Sequence, residues 1–448
     1  MATLFRKARK NERGELLTAA SPPARVRLPF AEAVRQRTLP NGTRLLVLEN
    51  HFNPTMSLSG SLHAGTLFAP PGRRLIASVA AGELQKGTER RSKLEIAEEL
   101  ESRGASLSFS ADASDPVGLD IGGSALSRDV ETLLDTLVEI LRSPAFPAEE
   151  LEKEKKRLVG AIRQQQDQTS VRAYEEATRK IYPPGHPLHR GRGEERIAKV
   201  EALKPEDLRG HYESRYGAGT LLLVVVGDVS SDRILDGLER RLGDWRIGPG
   251  PEVPEVPAPP PAPGRDTVFM PDKASADVLM VQPADLVRTD PDFLACALAN
   301  AALGQSSLTS RLGVRVRDVE GLTYGIHSSF SATHIPGTFT VSLTVKPESL
   351  EAAMQSTMEE VSRFVSTGMT AKELAEEKSS RIGRFKVDLA ANSGIAQALD
   401  AAMYYGFGVD YLDRFPGLVA EITKEEADAA FARRVSPDRF TIVAAGTF

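Results

Sequence analysis

Residues Gly72–Thr88, with the sequence GRRLIASVAAGELQKGT, are the segment most informative about the fold. Its apolar side chains recur at spacings of three and four residues: Leu75, Ile76, Val79, Ala80 and Leu84. This spacing predicts a helix with one buried face. Gly87-Thr88 is expected to end that helix, and a second amphipathic helix is predicted from about Ser92 to Ser102.

The helix pair resembles the signature region of the pitrilysin/insulinase family of zinc metallopeptidases, which includes the mitochondrial processing peptidases. In that family the first helix carries His-x-x-Glu-His, followed by an apolar run and Lys-Gly-Thr. Counting back from Lys86-Gly87-Thr88 places these chemical positions on Ser78, Ala81 and Gly82. Two histidines one turn apart can share a zinc ion while a glutamate activates water. A hydroxyl, a methyl group and a hydrogen cannot, so the resemblance implies the family scaffold without its metal chemistry.

The small residues at these positions are expected to let another element pack closely, and a relocated metal site is the alternative. The family's third zinc ligand is a glutamate on a long downstream helix, and the matching run EKEKKRLVGAI places Ala161 there. Glu154 matches a supporting acidic residue of active members, and we expect it to be one charge of a solvated face. The resemblance therefore implies no metal or other cofactor in this chain.

A second family segment is kept in the other half of the chain. ALGQSSLTSRLGVRVRDVEGLTYGIHSSF, from Ala302 to Phe330, resembles the family pattern Ser-Arg-Leu…Arg-Glu…Gly-Leu-x-Tyr. In active members this Arg and Tyr bind the substrate backbone and help to stabilise the tetrahedral oxyanion opposite the zinc, which implies such roles for Arg317 and Tyr324. A guanidinium and a phenol are suitable donors to developing negative charge. The alternative is a purely structural role, with a salt bridge and a packed ring.

Composition and repetition indicate the architecture. The 448 residues are 41% hydrophobic and 26% charged, as in a soluble globular protein of two or more domains. Paired strands followed by runs of helices are typical of an α+β fold, and the resemblance implies two homologous domains, each a mainly antiparallel sheet covered by helices. Residues 200–229 align without gaps on residues 419–448, which indicates a duplication.

The proline-rich segment GPGPEVPEVPAPPPAPG is expected to be an extended linker. The predicted organisation is a disordered tail over 1–30, a domain with the degenerate metal site over 31–247, the linker over 248–264, and a domain with the Arg/Tyr pair over 265–448. The lone cysteine, Cys296, lies in an apolar run and is interpreted as core.

The functional hypothesis follows from the loss of one motif and the retention of the other. We expect a non-catalytic subunit of a two-chain peptidase, whose partner is a homologous chain that carries the zinc. No peptidase activity is expected from this chain alone. An unfolded peptide substrate would add a strand to the edge LSFSADAS, at Ser108, Phe109, Ser110 and Ala111. The alternative is a purely structural scaffold, for which a homodimer is the expected assembly.

Other partner classes are not indicated. The net charge of −5 without a strongly basic face argues against nucleic acid. No stretch reaches the roughly 18 apolar residues that span a bilayer, and the polar, basic N-terminus lacks the apolar segment of a secretory signal. A cytoplasmic location is therefore expected, with periplasm or an organelle as alternatives.

Overall fold

The computed structural model describes residues 29–112 and 114–448. The predicted tail over 1–30 lies outside the described residues, apart from its last two positions. The described chain forms two sheets, one in each half of the sequence, with helices packed on them. This is the predicted α+β class.

The N-terminal half contains six strands and nine α-helices among its described residues. The strands are β1 (Arg35–Thr38), β2 (Arg44–Glu49), β3 (Thr55–Leu62), β4 (Ser106–Ser110), β5 (Leu119–Leu126) and β6 (Leu222–Gly227). The helices are α1 (Phe30–Ala33), α2 (Leu75–Glu83), α3 (Lys93–Glu101), α4 (Val130–Arg142), α5 (Ala148–Gln165), α6 (Thr169–Ile181), α7 (Gly193–Glu201), α8 (Pro205–Arg215) and α9 (Ser231–Leu242). Short 3₁₀ turns lie at Thr66–Phe68, Leu84–Lys86, Ser127–Asp129 and Ala218–Thr220.

The C-terminal half repeats this plan with five strands. They are β7 (Gly264–Phe269), β8 (Ala276–Pro283), β9 (Gly325–Phe330), β10 (Thr338–Val345) and β11 (Thr441–Gly446). The helices are α10 (Phe293–Asn300), α11 (Leu350–Thr367), α12 (Ala371–Asp388), α13 (Asn392–Tyr404), α14 (Tyr411–Glu421) and α15 (Lys424–Arg434). Two segments are π-helical, Ala301–Gln305 and Gly313–Val319, and 3₁₀ turns lie at Pro347–Ser349 and Pro437–Arg439.

The two sheets share one topology over five strands, and β1 is an additional edge strand of the first sheet. The first has the order β1-β2-β6-β3-β5-β4 and the second the order β7-β11-β8-β10-β9. Every neighbouring pair is antiparallel except β2–β6 and β7–β11, which are parallel. The last strand of each half, β6 or β11, is therefore inserted in the same way, between a parallel and an antiparallel neighbour.

The structure confirms the duplication indicated by the sequence. Helices α8 and α15 are both 11 residues long, and strands β6 and β11 are both six. Gly227 and Gly446 end those strands with φ angles of +152° and +158°, a backbone conformation that favours glycine. The gap-free alignment thus extends to individual backbone angles.

Each half covers the other half's sheet with one of its helices. Helix α6 packs on β8 and β11, and helix α13 packs on β3 and β6. Two apolar clusters result: Ala173, Ala177 and Ile181 lie against Val281 and Val443. Leu222, Val224 and Val226 lie against Ile395, Ala396 and Leu399. The linear order of the sequence did not predict this exchange, because both helices are amphipathic and their pattern does not specify which sheet they cover.

Polar contacts help to hold both exchanged helices. Asp400 of α13 accepts hydrogen bonds from the hydroxyl groups of Ser59 and Ser61 on β3, at 2.8 and 2.9 Å. Asp277 of β8 accepts one from the hydroxyl of Thr169 on α6, at 2.5 Å. Burial raises the pKa of Asp400 to about 7.

The predicted helix pair is present as α2 and α3, and α3 ends within one residue of its predicted bounds on each side. The Asn41-Gly42 hairpin joins β1 to β2, and Cys296 is buried in α10 as expected. Residues 248–263 contain neither helix nor strand, as their prolines require. Within the described residues, every helix is too short or too polar to cross a lipid bilayer.

Candidate functional site

Helix α2 carries the positions where the family has its zinc motif. Its buried face is formed by Ile76, Val79 and Ala80, as the spacing predicts. Ser78 is half-buried, Ala81 is buried, and Gly82 is exposed. A Cβ atom at Gly82 would meet no other group within 4 Å, so this glycine is not required by close packing there. The expectation of a closely packed neighbour is wrong at Gly82, because this side of the helix faces open space.

The next residue on α2, Glu83, is an ionisable group that the sequence interpretation missed. Its side chain is fully buried, and neither carboxyl oxygen has a hydrogen-bond partner among the described residues. Burial raises its pKa to about 7, and the neighbouring Glu154 and Glu150 of α5 act in the same direction against Lys86. The signal was present in the sequence, since Glu83 lies seven residues after Ile76, on the same helical face.

Strand β4, which contains the predicted peptide-binding residues, is an edge strand of the first sheet. Ser108 and Ser110 are exposed, whereas Phe109 and the following Ala111 are buried. Helix α2 packs on this strand. One carbonyl group of β4 is already engaged, because Leu107 O accepts a hydrogen bond of 2.8 Å from the side-chain amide of Gln85.

Arg317 and Tyr324 lie in the second family segment, and both are loosely held. Arg317 is in the π-helical segment Gly313–Val319, a type of irregular helix often found at functional sites. Among the described residues its guanidinium makes only long contacts, 3.5 Å to the Ser307 carbonyl and 3.6 Å to the Asp318 carboxylate. The side chain of Tyr324 is 63% exposed. No hydrogen bond within the described residues involves the hydroxyl of Tyr324.

Ser307 connects the two residues, a link that the sequence did not reveal. Its carbonyl accepts from Arg317, and its hydroxyl accepts a hydrogen bond of 3.2 Å from the N–H of Ile326, two residues after Tyr324. A cavity of about 390 Å³ adjoins this point, and Ser170 and Ala173 of the exchanged helix α6 contribute to its wall. Tertiary structure thus brings a helix of the N-terminal half beside the Arg/Tyr segment.

Arg311, in the same segment, is held in a contrasting way. Its Nε and Nη2 atoms donate to the two carboxyl oxygens of Glu373, each at 2.7 Å, and Nη2 also donates to the Gly368 carbonyl. The guanidinium lies 4.8 Å from the centre of the Phe364 ring. This paired arginine lowers the pKa of Glu373 to about 2. Arg311 is therefore a structural arginine, and Arg317 is not paired in that manner.

Comparison with known families now identifies the scaffold. Residues 47–190 match the model described as "Insulinase (Peptidase family M16)", and residues 202–381 match "Peptidase M16 inactive domain". The two matches together cover most of the chain. The chain belongs to the M16 peptidase family. The resemblance stated from the sequence is confirmed, and so is the two-sheet α+β fold.

Individual members of the family are similar to this M16 chain over most of its length. It is 23% identical over 339 residues to the "Non-peptidase homolog YmxG" of Helicobacter pylori, which covers 75% of this chain and 76% of that protein. It is 22% identical over 344 residues to the "Mitochondrial-processing peptidase subunit beta" of Caenorhabditis elegans, covering 72% and 70%. The crystal structure of a peptidase M16 inactive domain from Pseudomonas fluorescens superposes with a TM-score of 0.83 at 23% identity, covering 93% of this chain and 98% of that one.

The residues at the motif positions of this M16 member do not suit the zinc ion of the family. Zinc in proteins takes thiolate, imidazole or carboxylate ligands. Ser78, Gly82 and Ala161 supply none of these, and Ala81 cannot act as a general base. Among residues 29–112 and 114–448, no group of three or more His, Cys, Asp or Glu side chains is arranged to hold a metal ion. The buried carboxyl of Glu83 does not replace the lost ligands, because it does not belong to any such group within the described residues.

Proposed function

We propose that this chain is the non-catalytic subunit of a two-chain zinc metallopeptidase. It would bind an unfolded peptide together with a homologous, zinc-bearing chain and supply Arg317 and Tyr324 to that chain's active site. The observation that carries the proposal is a contrast within one segment. Arg311 is paired with Glu373, whereas Arg317 makes only long contacts within the described residues and Tyr324 is 63% exposed.

The exposure of Tyr324 argues against a purely structural role. A structural tyrosine is expected to pack its ring and to satisfy its hydroxyl. This ring is 63% exposed instead, and its hydroxyl is available to an acceptor outside the described chain. A phenol and a guanidinium that are free to donate are the groups that stabilise an oxyanion in a transition state.

The surroundings of the pair support contact with another chain. Leu308 is 61% exposed and Val319 is 76% exposed, and Val314 in the same segment is also exposed. Apolar side chains gathered at the surface commonly mark a site of protein association. The name of the C. elegans relative, a subunit of a processing peptidase, is consistent with an assembly of two chains.

The peptide would pair with the free edge of β4. An edge strand presents unpaired N–H and C=O groups that an extended peptide can join. Phe109 and Ala111 are buried while Ser108 and Ser110 are exposed. Because Gln85 already engages the Leu107 carbonyl, we expect pairing to involve the part of the strand after Leu107.

The test is to co-express the chain with an M16 homologue that has an intact His-x-x-Glu-His motif, and to measure cleavage of a fluorogenic peptide. Tyr324→Phe and Arg317→Ala should each reduce the rate of the complex on the order of a hundredfold, because each removes an oxyanion donor. Size-exclusion chromatography should show unchanged assembly. Elemental analysis should find zinc in the complex and none, in stoichiometric amount, in this chain alone.

Two matched controls separate function from packing. Tyr174→Phe removes the hydroxyl of another exposed tyrosine, and Arg128→Ala removes another exposed arginine whose ion-pair partner is the following aspartate. Neither control should alter the rate. If Tyr324→Phe and Arg317→Ala are equally silent in an assembled complex, the chain is a scaffold. Zinc-dependent cleavage by the isolated chain would overturn the proposal entirely.

A further inference from the structure

A basic cavity lies at the N-terminal end of helix α2, away from the Arg/Tyr segment. Its volume is about 510 Å³, within the range of small-molecule sites. It lies between the loop that precedes α2, the loop from Pro184 to Gly191, and helix α7. The cationic side chains on its wall are Arg74, Arg179, Arg196 and Lys199, and its carboxylate is Glu195. Arg179 and Arg196 are ion-paired with Glu176 and Glu175, which lie outside the wall.

Arg74 is the key side chain of this cavity because its charge is unpaired. It is half-buried, and its guanidinium makes one hydrogen bond, from Nη1 to the Pro187 carbonyl at 3.2 Å. No carboxylate of the described chain lies within 4 Å of it. Burial and the nearby guanidinium groups of Arg190 and Arg196 lower the pKa of Arg74, because both disfavour its positive charge.

The carboxylate next to the neighbouring arginines already contacts those arginines and does not pair with Arg74. Arg196 donates to Glu175 at 3.0 Å, and Arg190 lies 3.9 Å from the same carboxyl oxygen. Glu175 also accepts hydrogen bonds from the side-chain amide of Gln166. The Nε atom of Arg190 is buried without a hydrogen-bond partner within the described residues. Arg190 and Arg196 therefore share the buried carboxylate of Glu175, and Arg74 lies outside this pairing.

The backbone adds to this excess of positive charge. Arg74 immediately precedes α2, where the helix dipole is positive, so a cation is unfavourable there and an anion is favoured. An unpaired charge that is partly removed from water is costly unless a counter-charge accompanies it. Pairing with a bound anion would remove this cost.

We propose that this cavity binds a small anion with carboxylate or phosphate groups, held by Arg74 with support from Arg196 and Lys199. Guanidinium groups recognise both kinds of oxyanion through paired hydrogen bonds. Arg74 is the residue before α2 and Leu75 is its first residue, so the cavity lies at the start of the helix that carries the degenerate motif positions. The inference does not depend on the proposed subunit role.

The test titrates the full chain calorimetrically with inorganic pyrophosphate, with citrate, and with one peptide carrying either a free or an amidated C-terminus. At about 0.15 M salt we expect a dissociation constant below about 1 mM for at least one of these anions. Binding of pyrophosphate or citrate would identify a free small anion. Binding only of the peptide with a free carboxylate would identify a peptide end.

The decisive variant is Arg74→Met, which should weaken binding on the order of tenfold or more because it removes charged hydrogen bonds. Without added anion this variant should melt at the same temperature as the parent or higher, since an unpaired charge is lost. Arg74→Lys should restore part of the binding. Retention of full binding by a folded Arg74→Met chain, or no binding of any of these anions by the parent chain, would overturn the proposal.

Arg288→Met is the matched control. Arg288 is also a half-buried arginine without a carboxylate partner, but its guanidinium lies 4.1 Å from the centre of the Phe293 ring, where cation–π attraction compensates the charge. This variant should leave anion binding unchanged. A loss of binding equal to that of Arg74→Met would show that the effect is not local to the cavity.

Discussion

Helix α2 in the N-terminal half and the segment Ala302–Phe330 in the C-terminal half both match family motifs, yet they place their polar groups in opposite ways. In α2 the carboxylate of Glu83 is buried and has no hydrogen-bond partner among the described residues, while the exposed position is Gly82, which has no side chain. In the C-terminal segment, Tyr324 is exposed and Arg317 has only long contacts. The first region has become a packing element, and the second presents donors to solvent.

This difference shows that missing ligands alone do not tell whether a degenerate motif still presents polar groups to solvent. The metal positions on α2 could have been filled by other polar groups that face solvent, but they are a half-buried serine, a buried alanine and an exposed glycine. The C-terminal segment holds its three arginines differently: Arg311 is paired with Glu373 and Arg315 with Glu320 and Glu359, whereas Arg317 makes only long contacts within the described residues. The predictions below test each side of the comparison, from the largest effect on stability to the smallest.

The largest effect is expected from Glu83→Gln in α2. The folded state raises the pKa of Glu83 to about 7, above the value of about 4.3 in an unfolded chain, so it binds the proton more tightly. The contribution of Glu83 to stability is therefore greatest below about pH 4.3 and is lost as the pH rises toward 7. The change in the free energy of unfolding caused by Glu83→Gln should therefore be about 2 kcal/mol more stabilising at pH 8 than at pH 5.

Chemical denaturation at both pH values measures this difference. Glu98→Gln, on the exposed side of α3, is the control and should change stability little at either pH. A Glu83→Gln effect that is the same at pH 5 and pH 8 would mean that the carboxyl is not held in its protonated form.

An effect of comparable size is expected from Arg311 of the C-terminal segment, with Arg317 as its contrast. Arg311→Met should destabilise the fold by about 2 kcal/mol, because it breaks two charged hydrogen bonds and leaves Glu373 partly buried without them. Arg317→Met should change stability by less than about 0.5 kcal/mol. Denaturant unfolding of the two variants side by side tests the contrast, and equal losses would show that Arg317 is structural as well.

The smallest effect is expected from Gly82→Ala. The added Cβ would contact nothing within 4 Å, and alanine favours a helix over glycine by up to about 1 kcal/mol. A small gain in melting temperature is therefore predicted. Gly160→Ala in α5 should behave alike, because a Cβ there also meets nothing within 4 Å. Gly60→Ala in β3 should destabilise, since its Cβ would lie 2.6 Å from the Leu222 carbonyl oxygen. A loss of stability in Gly82→Ala would reveal a neighbour on this helix face.

Much of the fold could be predicted from the sequence because local patterns determine it. The spacing of Ile76, Val79 and Ala80 gives the buried face of α2, and the capping box of Ser92 with Glu95 starts α3 where it was predicted. The match between residues 200–229 and 419–448 gives the duplication, down to the ends of α8 and α15. The absence of zinc ligands at Ser78, Gly82 and Ala161 is likewise a fact of the sequence.

Which of these elements pack against each other is visible only in the tertiary structure. The exchange of α6 and α13 depends on apolar faces that would fit either sheet, so their amphipathic pattern leaves the choice open. The pairing of Arg311 with Glu373, the link through Ser307, and the gathering of Arg74, Arg190 and Arg196 join residues far apart in the chain. Such contacts follow from the packing of whole elements, and a sequence pattern of three or four residues does not contain that information.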